Sequence, residues 1–80
     1  MANAHPDITI DPDVALGKPV VRGTRITVEH VLDRLGGGDS VEALLDAHPR
    51  LTADGVRAAL RYAADVLRAD VVLPFGDSSE

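Results

Sequence analysis

The side chains in this sequence best equipped to hold a partner are its arginines. Arg22 and Arg25 flank Gly23-Thr24, and Arg50, Arg57 and Arg61 surround the start of the longest amphipathic stretch. A guanidinium carries donors in a fixed fork, which suits a phosphate or, bidentately, a guanine edge. Thr52 adds a hydroxyl beside Arg50. The usual catalytic patterns are missing. His5, His30 and His48 lie far apart in sequence, with no partner at metal-ligand spacing. No Ser or Thr sits in a nucleophile-elbow context. Gly36-Gly37-Gly38 is not followed by Gly-Lys-Ser/Thr, so it is a helix stop rather than a phosphate loop. An enzyme is not expected, and neither is a cofactor or a metal. The arginines also have plainer uses. Arg61 and Asp65 have the i,i+4 spacing of an ordinary surface ion pair, and Arg22 and Arg25 can simply shape a turn.

These side chains need elements to position them. From Thr52 to Ala69, Val56, Leu60, Ala63 and Leu67 recur at helical spacing, and Ala59 and Val66 widen the stripe. Asp54, Arg57, Arg61, Asp65 and Arg68 fall on the opposite side. Thr52 is a good N-cap for this helix. Thr27 can cap another over Val28–Leu35, with Val28, Val31, Leu32 and Leu35 as its apolar face. Asp39 and Glu42 read as a capping box for a second helix, Ser40 to Ala47, with Val41, Leu44 and Leu45 inward. His48-Pro49-Arg50-Leu51 breaks it before the long helix begins. Upstream, Ile8-Thr9-Ile10 alternates like a short strand. Residues 19–26 read as a hairpin with Gly23-Thr24 as a type II′ turn, which sets Arg22 opposite Arg25.

The expected fold class is therefore mainly α: a short N-terminal β-hairpin region followed by a three-helix, homeodomain-like helix-turn-helix. In that motif the start of the last helix meets base edges and the flanks meet phosphates. Arg50, Thr52, Arg57 and Arg61 are then the DNA candidates, with Arg22 and Arg25 secondary. The expected organisation is a disordered N-terminus at 1–7, the hairpin and helix-turn-helix domain at 8–69, and a partner-binding tail at 70–80.

Eighty residues make one small domain. A chain of this size buries only about 60–65% of its unfolded surface. No Cys is present to staple it, so association is the expected reinforcement, in the first place a homodimer. A Cys-free chain suits a reducing compartment. MANAHPD shows no apolar leader region, and no segment has the length of a membrane span. A cytoplasmic protein is expected. The net charge of −5 argues against general nucleic-acid binding, but its distribution is uneven. Residues 1–17 carry −3, residues 18–62 carry +1 and residues 63–80 carry −3. A local basic face is compatible with that pattern.

After Ala69 comes Asp70-Val71-Val72-Leu73-Pro74-Phe75. Such an apolar run can add to a partner's sheet edge or fill a groove, or fold back on its own domain or a second copy.

From Ile8 to Leu67 the chain resembles the bacterial and archaeal domain-of-unknown-function family 433. The resemblance lies in GKPVVRGTRI at 17–26 and in HP-x-L-T…VRAALRYAAD at 48–65. Thr27 and His48 depart from the pattern, standing where the family has Pro and an aromatic residue. The resemblance implies a small winged or homeodomain-like helix-turn-helix protein. It also implies a VapB-like antitoxin of a type II pair, whose usual toxin is a PIN-like ribonuclease from an adjacent gene. Dimerisation, operator DNA binding, autoregulation and toxin neutralisation through the C-terminal part follow from it. Arg68, Val71, Val72, Leu73 and Phe75 are then the expected toxin contacts, Arg68 as a basic group entering a carboxylate-lined metal site. Two alternatives stay open: a free-standing helix-turn-helix regulator, and an adaptor that does not bind DNA.

Overall fold

Three helices and a minimal sheet form the domain, described by a computed structural model for residues 5–70. Strand β1 (Ile8–Thr9) pairs antiparallel with β2 (Val20–Val21), Ile8 against Val21 and Thr9 against Val20. Helices α1 (Val28–Gly36), α2 (Val41–Ala47) and α3 (Ala53–Asp70) follow. The domain is mainly α, as its helical periodicities predict. Its core gathers Ile8, Val21, Val28, Val31, Leu44, Leu51, Val56 and Ala59, so both strands, all three helices and the α2–α3 turn each contribute at least one buried side chain.

The hairpin exists with a shifted turn. Val20 bridges Thr27, and Val21 N–H donates to the Ile26 carbonyl at 2.9 Å. Thr24 N–H donates to the Val21 carbonyl at 3.0 Å, so the central pair is Arg22-Gly23 rather than Gly23-Thr24. Gly23, at φ +79°, takes the position where a type II turn needs positive φ. The Thr24 hydroxyl explains the shift. It donates to Val21 O at 2.7 Å and accepts from Ile26 N–H at 3.0 Å, which fixes Thr24 as the turn's last residue. Ile10, expected in the first strand, lies beyond it and is exposed.

Helix α1 ends in a Schellman arrangement: Asp39 N–H reaches the Arg34 carbonyl at 3.0 Å and Gly38 N–H the Leu35 carbonyl at 3.1 Å. Gly38 supplies the positive φ, +109°, that this ending requires. Asp39 is not the N-cap of α2. Its carboxylate is held by Arg34, at 2.7 Å, and Ser40 caps instead, accepting from Ala43 N–H at 3.0 Å. Starting one residue later turns Val41 outward, and it is exposed rather than inward. Leu44 takes the core position, 1% exposed.

Along α3 the buried line runs through Val56 and Ala59 toward Ala63, while Leu60 and Leu67 flank it. Eighteen residues make a helix of roughly 27 Å. Gly55 in its first half meets β2, and in its second half Leu67 stays largely uncovered and Val66 partly so. Residues 5–7, from the stretch read as disordered, are described and make contacts: the His5 carbonyl accepts from Ile8 N–H at 3.0 Å, and its ring lies edge-on to Tyr62. Val71, Val72, Leu73 and Phe75 lie outside the described residues.

Candidate nucleic-acid interface

Two loops face a common groove. One is the hairpin tip, pinned by Thr24. The other is the α2–α3 turn, closed by Leu51 N–H donating to the His48 carbonyl at 2.9 Å. The open groove between them has a volume of about 750 Å³ and is lined by Gly23, Thr24, Arg25, His48, Pro49 and Arg50, among others. No carboxylate lines it. The His48 ring stands edge-on to His30, with centroids 5.3 Å apart, which anchors the turn to α1.

Ion pairing separates the basic residues into two groups. Lys18 pairs with Glu29, Arg34 with Asp39, Arg57 with Asp54 and Arg68 with Asp65. Arg22, Arg25, Arg50 and Arg61 have no carboxylate partner among the described residues. All four are exposed, and all four are arginines singled out from the sequence for DNA. Arg22 sits at the junction: its guanidinium donates to the Pro6 carbonyl at 3.4 Å. Pro6 in turn lines a second groove with Asp7, Asp54, Arg57 and Arg61. Arg25 and Arg50 thus line the first groove, Arg61 lines the second, and Arg22 hydrogen-bonds Pro6 of the second.

The other two predicted contacts are committed elsewhere. The Thr52 hydroxyl accepts from Gly55 N–H at 3.0 Å, so it caps α3. Arg57 Nη2 lies 2.7 Å from Asp54 Oδ1, one turn back. Arg68, nominated for a toxin, hydrogen-bonds Asp65, and so does His5, at 2.7 Å. These two donors, Arg68 first, hold the Asp65 carboxyl below its ordinary value of 3.8. The Arg61–Asp65 spacing therefore makes no pair; Asp65 turns to Arg68 and to the N-terminal segment. No metal-ligand cluster of three or more His, Cys, Asp or Glu residues occurs among the described residues. No described helix is long and apolar enough to cross a membrane.

Three positions escape a reading by sequence. Gly55 is buried where α3 crosses β2, and an added Cβ there would meet Val21 Cγ1 at 2.9 Å. Ser40 displaced Asp39 as a cap. Asp65 ties the N-terminal segment to α3 across sixty positions, with no local signal to announce it.

A third, mostly apolar groove of about 550 Å³ lies between α1 and the far half of α3, lined by Leu32, Tyr62, Ala63, Val66 and Leu67 among others.

Comparison with known proteins agrees with this layout. The family described as "Protein of unknown function (DUF433)" matches residues 8–63. The curated "Uncharacterized protein y4eO" of Sinorhizobium fredii (strain NBRC 101917 / NGR234) is 43% identical over 81 residues. That alignment takes in all of this chain and 36% of the relative. A crystal structure of a DUF433 member protein from Anabaena variabilis ATCC 29413 superposes with a TM-score of 0.73 at 32% identity, over 79% of this chain and 62% of that one. The chain thus spans about a third of its curated relative and under two thirds of the solved one. With a family model matched over most of its length, from β1 through α1 and α2 into α3, this chain belongs to the DUF433 family.

Proposed function

We propose that this chain is the antitoxin of a type II toxin–antitoxin pair. It acts as a cytoplasmic homodimer that neutralises a PIN-like ribonuclease encoded next to it and represses its own operon by binding operator DNA. One observation carries the DNA half. The arginines left without a carboxylate partner, Arg22, Arg25, Arg50 and Arg61, gather around the hairpin tip, the α2–α3 turn and the polar face of α3. An acidic chain that leaves these guanidinium groups without a carboxylate partner among the described residues presents a local positive surface to a polyanion.

The toxin half rests on the resemblance of residues 17–26 and 48–65 to family 433, which implies a VapB-like antitoxin, and on the uncovered apolar groove on α1 and α3. Leu67 is 61% exposed at its edge. Exposed apolar surface of this kind on a small domain suits contact with another chain. Arg68 neighbours Leu67 and is engaged by Asp65 within its own chain.

The test is co-expression with the adjacent reading frame, with the affinity tag on that product only. Recovery of both chains in a fixed ratio, with the nuclease silenced, supports the antitoxin. A well-folded chain that is not retained, yet binds the DNA upstream of its own gene, is instead a free-standing helix-turn-helix regulator.

A further inference from the structure

Charge and hydrogen bonding divide the DNA-facing surface into two unlike parts. The groove between the hairpin tip and the α2–α3 turn carries Arg25 and Arg50 and no carboxylate. Both arginines stand on pinned backbone: Thr24 closes the tip through two hydrogen bonds, and the His48–Leu51 bond closes the turn. Two guanidinium groups facing one groove repel each other. A phosphate between them removes the repulsion and gains charge-assisted hydrogen bonds from both sides.

The start of α3 is the opposite. The Thr52 hydroxyl is taken by Gly55 N–H, and Ala53 offers only a methyl group. Gly55 is buried against Val21. Asp54 is an exposed carboxylate that repels phosphate and holds the Arg57 guanidinium at 2.7 Å. Arg57 carries the one guanidinium on those first two turns, the group that most often reads guanine bidentately. Here that group is bound to its own helix.

We propose that this chain grips DNA by its phosphates, with one backbone phosphate clasped between Arg25 and Arg50, and that the first two turns of α3 read no bases because Asp54 retains Arg57. The proposal rests on the DNA-binding reading above and specifies its chemistry. Any preference for one site over another then comes from the shape and deformability of the duplex, which a backbone-gripping protein senses indirectly.

The experiment is a titration of the full chain against two short duplexes over a range of salt. One is taken from upstream of its own gene, and the other has the same base composition in shuffled order. The upstream duplex is expected to bind more tightly through its shape, and that preference should be the same in Arg57→Ala as in the wild-type chain. Arg25→Ala/Arg50→Ala should weaken both duplexes by the same factor and flatten the salt dependence by at least about 0.9, the slope for one phosphate. Asp54→Asn should strengthen both alike, and Arg57→Ala should change neither by more than about twofold. Selective loss of the upstream duplex in Arg57→Ala overturns the proposal while leaving DNA binding standing. Failure of the wild-type chain to bind either duplex at the lowest salt overturns the DNA reading and this inference with it.

Discussion

Gly55 and Val21 touch across the junction of α3 and β2: a Cβ on Gly55 would lie 2.9 Å from Val21 Cγ1. Val21 is 4% exposed and β-branched, so its side chain has little freedom to yield. An exposed helical Gly→Ala change gains up to about 1 kcal/mol from propensity. Overpacking of a filled core costs about 1–3 kcal/mol. Gly55→Ala is therefore expected to lower stability by about 1 kcal/mol, a fall in Tm of roughly 4–8 °C for a domain this small. Thermal denaturation measures it, and a higher Tm would show that the contact gives way.

Thr52 is a cap in this account and not a reader of DNA. Thr52→Ala should cost about 1 kcal/mol of stability, while Thr52→Ser, which keeps the acceptor for Gly55 N–H, should stay close to wild type. Both variants, once folded, should bind duplex DNA as the parent does. A Thr52→Ala chain of unchanged Tm but weakened DNA affinity would reverse the assignment.

Asp65 predicts a response to acid. Its carboxylate accepts hydrogen bonds from Arg68 and His5, which lower its pKa below 3.8 in the folded chain. A carboxylate depressed in this way stabilises the fold above its unfolded value and loses that contribution as pH falls through the folded one. The Tm gap between wild type and Asp65→Asn should therefore be constant above about pH 5 and narrow below 3.8. Tm profiles of the two proteins against pH decide it; a gap of constant size down to strong acid would mean that the two donors add nothing to stability.

These contacts mark where sequence reading stops. The three helices are legible because their apolar spacing, the Thr27 and Thr52 caps and the Gly36-Gly37-Gly38 stop agree with one another. The choice of Ser40 over Asp39 is not legible, since both are good caps and only the folded chain puts Arg34 against Asp39. The turn at Arg22-Gly23 is missed by one residue because the Thr24 hydroxyl, rather than a dipeptide preference, fixes it. All the candidate arginines are visible in sequence, but which of them are free is not. Arg57 and Arg61 look alike at helical spacing. The side chain of Asp54 engages the first, while Asp65, at the spacing expected to engage the second, points to Arg68 and His5 instead.

The apolar groove beside α3 predicts where another chain meets this one. Leu67→Lys should leave Tm nearly unchanged, because Leu67 is 61% exposed and buries little in its own domain. The same change should weaken retention by the tagged product of the adjacent reading frame by tenfold or more, on the order of a lost interface anchor. Full retention of the variant would place the contact elsewhere on the chain.

The most direct measurement compares two double variants with the same net charge. Arg25→Ala/Arg50→Ala removes two guanidinium groups with no carboxylate partner among the described residues, and Lys18→Ala/Arg34→Ala removes two cations already paired with Glu29 and Asp39. Duplex affinity at one moderate salt concentration is the readout, taken well below the Tm of each protein. The first variant should bind about tenfold more weakly or worse, and the second should stay within about twofold of wild type. Equal weakening in both would mean that overall charge and not the groove between the hairpin tip and the α2–α3 turn attracts DNA, and would contradict the account.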